Sequence, residues 1–374
     1  MKQMEAIKAS ITGIGINSPF GNTLERFWQS VVWGEGPLKE SSFYHFSHED
    51  ETSDWYEKNF LNVCIATVLD AVADAGLEKS EKQGCLILGS GMGISDIFLA
   101  EDQPGHPNPF QMKEKLVNSL EVQTGMQWHI SIITNACCAG AQAIAYGFDL
   151  VRSARYDFVI AGGIEVESKI MQNGFQRLNG IDEECCRPFD KNRKGIQVGE
   201  GAAFYVIQKN GSQEYGEILG QAVTNDAYHI VAPRPGGKYI QNAMELALKR
   251  ANRKPKEIDA VVAHGTGTKK NDAIEAQVLG QIFPNAYVTA PKSLIGHTGG
   301  ASGAFGLLTA LGILRYQEIP PIHHLVQLDE GITIRAVQKN AKKMMIRNVM
   351  VDCFAFGGTN TVLLCGYERG RNNE

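Results

Sequence analysis

Short apolar runs alternate with longer stretches of helical periodicity along most of this chain. The runs are rich in β-branched residues and several end at glycine, which is typical of buried strands. The predicted strands are 10–16, 85–89, 130–134, 158–166, 202–208, 260–263, 287–290 and 350–354. The predicted helices between them include 139–155, 239–251, 272–283 and 301–316. This alternation indicates an α/β layer fold whose sheet is covered on both faces.

Two stretches of the chain repeat one order of features. CCAGAQAIAYGFDLVRSARYDFVIAGG begins at residue 137, and HTGGASGAFGLLTALGILRYQ, followed later by VMVDCFAFGG, begins at residue 297. Each runs from small residues through a helix to an apolar strand and a Gly-Gly pair. We interpret the echo as a duplication with halves at residues 1–210 and 211–374. Chance repetition of small-residue helix starts is the alternative.

The composition is that of a globular chain. Of its 374 residues, 43% are hydrophobic and 21% charged, and the formal net charge is -5. This length allows two domains or one large duplicated domain. Nucleic acid is disfavoured as a partner, because its phosphates require a clustered basic face. The N-terminal segment lacks the apolar run of a signal peptide and no stretch reaches the length of a membrane span, so the cytoplasm is the expected compartment.

The cysteines are spaced in a way that does not favour a metal site. The chain has 8 of them, scattered through apolar segments as is typical of free thiols in a reducing compartment. The pairs at 137–138 and 185–186 are adjacent and lack the C-x-x-C spacing of zinc ligands. We therefore expect no bound metal.

One cysteine lies where a predicted strand passes into a helix of small residues. Cys137 stands in TNACCAG at 134–140. A helix N-terminus carries unpaired N–H groups and partial positive charge, which lower a cysteine pKa below its free value of about 8.5. Most buried cysteines only pack as small apolar side chains, so a reactive role for Cys137 depends on its neighbours.

Two histidines follow apolar runs in the C-terminal half. His264 begins HGTGT after the run 260–263, and His297 ends KSLIGH after the run 287–290. We predict that each lies at a strand end, where open α/β sheets place their sites. One such histidine is usually a core residue, but two at matched positions together with a cysteine indicate catalysis.

Two carboxylates and a glycine turn accompany these histidines. Asp272 and Glu275 fall in the first turn of a predicted helix, where carboxylates favour the helix dipole, and capping is the expected role of Asp272. The turn FAFGGTN at 354–360 follows a buried strand. Alone, it predicts only a turn.

Taken in order, these motifs resemble the elongating β-ketoacyl-ACP synthases of the thiolase superfamily. They are the cysteine, HGTGT with D-x-x-E, K-S-x-x-G-H and F-x-F-G-G-T-N. TGIGINSPFGNT, RPFDKNRKGIQVGEGAAFYVI and NDAYH match as well, so the resemblance spans nearly the whole chain. It implies the α/β thiolase fold, in which duplicated βαβαβ halves form five layers, α-β-α-β-α.

The resemblance implies a catalytic set of five residues. Cys137 would accept the acyl chain, while its backbone N–H and that of Phe356 would form an oxyanion hole. His264 and His297, as neutral donors at Nε2, would bind the malonyl thioester and stabilise the enolate left by decarboxylation, each such donor being worth about 3 kcal/mol. Lys292 would fix the histidines, and the ring of Phe356 would act as a gate between the half-reactions.

The resemblance also implies a substrate-binding set. Thr266 and Thr268 would hydrogen-bond the pantetheine arm, and Met92 would line the acyl pocket, where a flexible thioether adapts to chain length. Glu275 is grouped with them as a support for the histidines. Cys138 stands where the family usually has a hydroxyl or small residue, and we interpret it as structural.

The implied partner is an acyl carrier protein, whose phosphopantetheine carries the substrates, with no further cofactor. A homodimer is expected, or a heterodimer with a related ketosynthase or chain-length-factor subunit. Because the carrier is acidic, the basic clusters at 249–250, 253–254 and 342–343 are candidates for its docking.

The chain departs from the family pattern at 36–59 and 92–127, which look short. In the family these segments normally border the acyl pocket and the dimer contact, so the resemblance favours a specialised polyketide or polyene pathway over housekeeping fatty acid elongation. Two alternatives stay open: acyl transfer without carbon–carbon bond formation, and a non-catalytic partner subunit, against which the retained Cys137 argues. A Rossmann dehydrogenase would need a third glycine after Gly13-Ile14-Gly15.

Overall fold

The computed structural model describes residues 7–37, 53–77, 83–93, 95, 109–166, 168–212 and 214–367. Its strands are β1 (Ala9–Asn17), β2 (Gly84–Gly89), β3 (Trp128–Ile133), β4 (Phe158–Glu165), β5 (Gly201–Lys209), β6 (Glu217–Asn225), β7 (Ala260–Val262), β8 (Tyr287–Thr289), β9 (Glu318–Ile319), β10 (Arg335–Ala336), β11 (Lys342–Lys343), β12 (Asn348–Phe354) and β13 (Thr359–Gly366). Its helices are α1 (Leu24–Trp33), α2 (Ser53–Asp74), α3 (Pro109–Thr124), α4 (Ala139–Arg152), α5 (Lys169–Arg177), α6 (Lys238–Arg250), α7 (Lys269–Ile282), α8 (Lys292–Ile295) and α9 (Ser302–Tyr316).

The main sheet has two halves with the same plan. Its order within the described residues is β10-β8-β7-β12-β13-β6-β1-β5-β4-β2-β3. In the N-terminal half β3, β2 and β4 are parallel and β5 and β1 continue antiparallel. In the C-terminal half β8, β7 and β12 are parallel and β13 and β6 continue antiparallel. The predicted duplication is confirmed, and the boundary at 210/211 stays a prediction.

The helices complete five layers around these halves. α4 and α9 pack on each other between the two halves of the sheet, and α9 is buried from Ser302 to Leu314. α2 covers the outer face of β1 and β5, and α6 covers that of β6 and β13. Both faces of the sheet are therefore covered, as the continuous apolar runs predicted.

Small residues allow the first turns of α4 and α9 to approach each other. A Cβ at Gly140 would lie 2.8 Å from the carbonyl oxygen of Gly300, and one at Gly303 would lie 2.4 Å from the Cβ of Ala141. Only glycine permits such contacts. Each helix follows a 3-10 turn, at Ala136–Cys138 and Gly299–Ala301, so the echo in the sequence corresponds to an equivalent turn and helix in each half.

The bounds of the predicted elements agree closely with the observed ones, but five strands were not predicted, among them the two-residue strands β9, β10 and β11. β6 and β13 were missed, the second because FAFGGTN was interpreted only as a turn. The prediction that His297 lies at a strand end is wrong, since α8 intervenes after β8. The segments 38–52, 94 and 96–108, within which much of the predicted shortening falls, lie outside the described residues.

Candidate active site

Cys137 lies in the 3-10 turn that leads into α4. Its side chain is 8% exposed, and Ala136 before it has φ 44°, an uncommon value for a residue with a Cβ. The strained turn presents the sulfur at the helix start. Cys138 points away, since it is fully buried and its Sγ donates to the carbonyl oxygen of Cys353 at 3.0 Å.

Burial governs the protonation of the nucleophile. It raises the pKa of Cys137 to about 12, which the Lys292 charge and the backbone N–H of Phe356 only partly oppose. The prediction that the helix start lowers this pKa is therefore wrong for the substrate-free protein, because desolvation outweighs the partial charge of a few N–H groups. Burial thus favours the thiol form of Cys137 over the thiolate.

His264 is fixed by its backbone and by one ring nitrogen. Glu275 accepts the backbone N–H of His264 at 2.6 Å and that of Gly265 at 2.9 Å. Lys292 Nζ donates to the carbonyl oxygen of His264 at 2.7 Å and lies 3.3 Å from its Nδ1. Because Nδ1 accepts, the proton of the neutral ring lies on Nε2.

His297 has the same tautomer for a different reason. The backbone N–H of Gly299 donates to its Nδ1 at 3.1 Å, and Ser302 Oγ lies 3.1 Å from the same atom. A backbone N–H can only donate, so Nε2 carries the ring proton. Burial, followed by the Lys292 charge, lowers the pKa of His297 to about 3, and burial lowers that of His264 well below its usual value.

The two rings are therefore neutral donors packed against each other. Their centroids are 5.7 Å apart and the planes are perpendicular. His264 is 3% and His297 2% exposed, so little water competes for either Nε2. Lys292 Nζ lies beside His264, and the 3-10 turn that contains Cys137 packs against the 3-10 turn that follows His297, so the thiol and the imidazoles belong to one site.

The HGTGT loop is held from below by two buried carboxylates. Asp272 accepts backbone N–H groups of Phe189 at 2.8 Å and of Thr266 and Gly267 at 3.1 Å. The expectation that Asp272 mainly caps a helix is wrong, because its carboxylate is occupied by this loop. Glu275 is likewise misplaced among the substrate-binding residues, since both its oxygens accept backbone N–H groups and its side chain is fully buried.

The two threonines differ in how accessible they are. Thr266 Oγ1 and Thr268 Oγ1 are 2.9 Å apart; Thr266 is 5% exposed, whereas Thr268 is half-buried. Thr268 is thus the threonine better placed to reach a ligand.

Aromatic rings close one side of the site. Phe356 is half-buried, and its ring lies 5.2 Å from that of Phe175, which in turn lies 5.9 Å from the His297 ring. Phe354 packs 5.5 Å from His264. The sequence analysis missed Phe175, although a half-buried aromatic residue among the polar side chains of KIMQNGFQR was a signal that could have found it.

A second residue that the sequence analysis missed is Glu165, at the end of β4. It is fully buried and accepts hydrogen bonds from the loop that contains Met92 and from the backbone N–H of Gly300. Met92 itself is half-buried in that loop. An acidic residue closing an apolar strand was the available signal.

The described residues contain no group of three or more histidine, cysteine, aspartate or glutamate side chains arranged to hold a metal ion. None of the helices in the described part of the chain combines the length and apolar character needed to cross a bilayer.

Comparisons with known proteins cover nearly the whole chain. The model of the β-ketoacyl synthase N-terminal domain matches residues 58–212, and that of the C-terminal domain matches 215–326. The 3-oxoacyl-[acyl-carrier-protein] synthase 2 of Coxiella burnetii is 30% identical over 409 residues, covering 96% of this chain and 99% of the relative. That of Staphylococcus aureus is 29% identical over 406 residues, covering 96% and 98%. Among solved structures, "The ishigamide ketosynthase/chain length factor" has a TM-score of 0.85 at 26% identity, covering 97% of this chain and 99% of that one.

Proposed function

The chain belongs to the β-ketoacyl synthase family, and on that premise we propose that it is a β-ketoacyl-ACP synthase that joins a Cys137-bound acyl chain to malonyl-ACP with loss of CO₂. One observation carries this proposal. Two neutral imidazoles, each with Nδ1 occupied and Nε2 left as a donor, share a buried site with a thiol at a helix start.

The first half-reaction is thioester exchange. Cys137 sulfur attacks the acyl-ACP carbonyl, and the proton of its thiol ends on the departing phosphopantetheine sulfur. The backbone N–H groups of Phe356 and Cys137 would donate hydrogen bonds to the carbonyl oxygen as negative charge develops on it. Since burial opposes the thiolate, the neutral acyl-cysteine suits this site better than a free anion would.

The second half-reaction creates an enolate. The malonyl carboxylate leaves as CO₂, and its electron pair passes onto the thioester carbonyl, where the Nε2–H groups of His264 and His297 stabilise the oxygen. The enolate carbon then attacks the acyl-Cys137 carbonyl, and the cysteine sulfur leaves and regains a proton. An imidazole with a lowered pKa is useful here, because it donates a hydrogen bond without giving up its proton.

Lys292 and Glu275 act through these groups. Lys292 contacts His264 at Nδ1 and at the backbone, which makes it a positioning residue, as is Glu275 through the backbone of His264. Thr268, the more exposed of the two threonines, would bind the pantetheine arm. We propose an acyl carrier protein as partner and a dimer, with itself or with a related subunit, as the assembly, in fatty acid or specialised polyketide synthesis.

The test is incubation of the purified protein with acyl-ACP and malonyl-ACP. We expect a β-ketoacyl-ACP product and an acyl adduct on Cys137 by mass spectrometry. Cys137→Ala should abolish both, whereas Cys365→Ala, which removes another buried thiol, should leave both. An acyl-transfer product that forms without malonyl-ACP would instead favour acyl transfer to an amine or alcohol, and no product with either donor would refute the proposal.

A further inference from the structure

Glu165 is a buried carboxylate with an unusual number of donors. Its Oε1 accepts from Ser90 Oγ at 2.9 Å and from the backbone N–H groups of Met92 at 3.0 Å and Gly93 at 3.2 Å. Its Oε2 accepts from the backbone N–H groups of Gly91 at 2.8 Å and Gly300 at 2.6 Å. Both oxygens are therefore fully used, and charge-assisted bonds of this kind are the stronger ones.

These donors come from two places in the fold. The loop 90–93 follows β2 in the N-terminal half and contains Met92, whereas Gly300 lies in the 3-10 turn before α9 in the C-terminal half. The residue before it, Gly299, donates its N–H to Nδ1 of His297. One side chain thus links the Met92 loop to the turn that orients an imidazole.

The surroundings leave no room for this link to shift. A Cβ at Gly299 would lie 2.6 Å from Glu165 Oε2, one at Gly91 would lie 2.8 Å from the same atom, and one at Gly300 would lie 2.2 Å from the backbone nitrogen of Gly91. Glu165, the loop 90–93 and the turn 299–301 are thus packed directly against one another, so a shift of one displaces the others.

We propose that Glu165 is a positioning residue that sets the acyl-chain preference through the Met92 loop and the decarboxylation geometry through the Gly300 turn and His297. The inference rests on the proposed function. Glutamine tests it well, because an amide has one acceptor oxygen, and its NH₂ would face donors in either orientation. At least two of the five hydrogen bonds are lost, at nearly constant volume.

The experiment compares Glu165→Gln with Asp259→Asn. Asp259 also accepts two backbone N–H groups, from Arg347 at 2.7 Å and Asn348 at 3.0 Å, but it precedes β7 and so lies at the strand end opposite to His264. For each variant, kcat and KM for malonyl-ACP, the rates of Cys137 acylation across acyl-ACPs of increasing length, and the melting temperature are measured.

For Glu165→Gln we expect kcat to fall about 100-fold, the effect of displacing a catalytic group by about 1 Å. The KM for malonyl-ACP should stay within about threefold and the acyl-length profile should shift, whereas Asp259→Asn should alter only the melting temperature. A purely structural role predicts equal behaviour of the two variants. An unchanged kcat together with an unchanged length profile for Glu165→Gln would overturn the inference.

Ser90→Ala covers the case in which Glu165→Gln fails to fold. Ser90 Oγ donates to Glu165 and accepts the N–H of Gly93 at 2.9 Å, so its loss loosens the same loop while the carboxylate remains. A shifted acyl-length profile supports the inference and a wild-type profile overturns it. Acylation of Cys137 is measured without any condensation step. If the wild-type protein becomes acylated on Cys137 but forms no β-ketoacyl product, the proposed function is refuted. The acyl-length profiles of the acylation step would still decide the role of Glu165.

Discussion

Replacing His297 with phenylalanine removes one enolate donor while keeping a flat ring of similar size. The His297 ring is 2% exposed and stands edge-on to His264, so no water replaces the missing N–H. Loss of one preorganised oxyanion donor costs about 3 kcal/mol, which is about 100-fold in rate. We therefore expect CO₂ release from malonyl-ACP to slow by about that factor.

Acylation of Cys137 should stay within about threefold of wild type, since the hole proposed for that step uses backbone N–H groups. Ser302→Ala is the matched control: it removes a hydroxyl 3.1 Å from the His297 Nδ1 but leaves the Gly299 N–H, which alone fixes the tautomer. A neutral hydrogen bond is worth about 1 kcal/mol, so its effect should be about fivefold.

The assay is a single turnover. Protein acylated on Cys137 is mixed with malonyl-ACP, CO₂ release is followed in time, and acylation is measured separately with acyl-ACP alone. If His297→Phe released CO₂ at the wild-type rate, or slowed both steps equally, the assignment of Nε2 as an enolate donor would be wrong. In His297→Phe the Gly299 N–H loses its acceptor, which destabilises the fold. The melting temperature is therefore measured as well, to separate a slower reaction from partial unfolding.

Three further predictions concern charge and backbone. Because burial lowers the pKa of both site histidines, they stay neutral in mild acid, so single-turnover CO₂ release should be flat from about pH 8 to about pH 5, and a decline with a midpoint near pH 6.5 would contradict this. Asp352 is buried, both of its carboxylate oxygens lack a hydrogen-bond partner among the described residues, and burial raises its pKa well above its usual value. The folded protein therefore loses stability as the pH rises above about 4, where the carboxyl group would ionise in the unfolded chain. Asp352→Asn should raise the melting temperature at neutral pH, and this gain should disappear toward about pH 4. Gly267 has φ 78°, and a Cβ there would lie 2.5 Å from a backbone carbonyl oxygen. Gly267→Ala should therefore lower the free energy of unfolding, measured in urea, by more than about 1 kcal/mol. As a control, Gly174→Ala in α5, where a Cβ would meet open space, should raise the free energy of unfolding by about 0.5 kcal/mol.

The order of motifs along the sequence was enough to predict the fold and to nominate Cys137, His264 and His297 as the centre of the site. It did not point to Glu165 or Phe175. Apolar runs such as FVIAGGIE are buried throughout, and small-residue helix starts correspond to the α4 and α9 starts. The weak point was β13, whose first residues overlap a glycine turn, so that the turn signal hid the strand. Periodicity also predicted a strand end at His297, where the chain inserts a single helical turn.

What the sequence could not supply was the balance between competing electrostatic effects. The location of Cys137 at a helix start is readable, but its 8% exposure is a tertiary fact, and burial decides the direction of its pKa. The same holds for Asp272, Glu275 and Glu165. Each of these carboxylates accepts hydrogen bonds from backbone N–H groups that folding brings near it. From the sequence alone, a carboxylate that caps a helix cannot be distinguished from one that binds substrate or holds a loop.

The matched 3-10 turns before α4 and α9 use their backbone N–H groups in different ways. Both offer the positive pole of a buried helix to the same interior, and Gly300 occupies in one turn the place that Cys137 occupies in the other. In the turn before α9, the backbone N–H of Gly300 already donates to the carboxylate of Glu165, so it is not available to bind another anion. Of the two turns, the one before α4 is therefore the one that can stabilise negative charge on a reacting carbonyl oxygen, because Gly299 and Gly300 in the other already donate to His297 and Glu165.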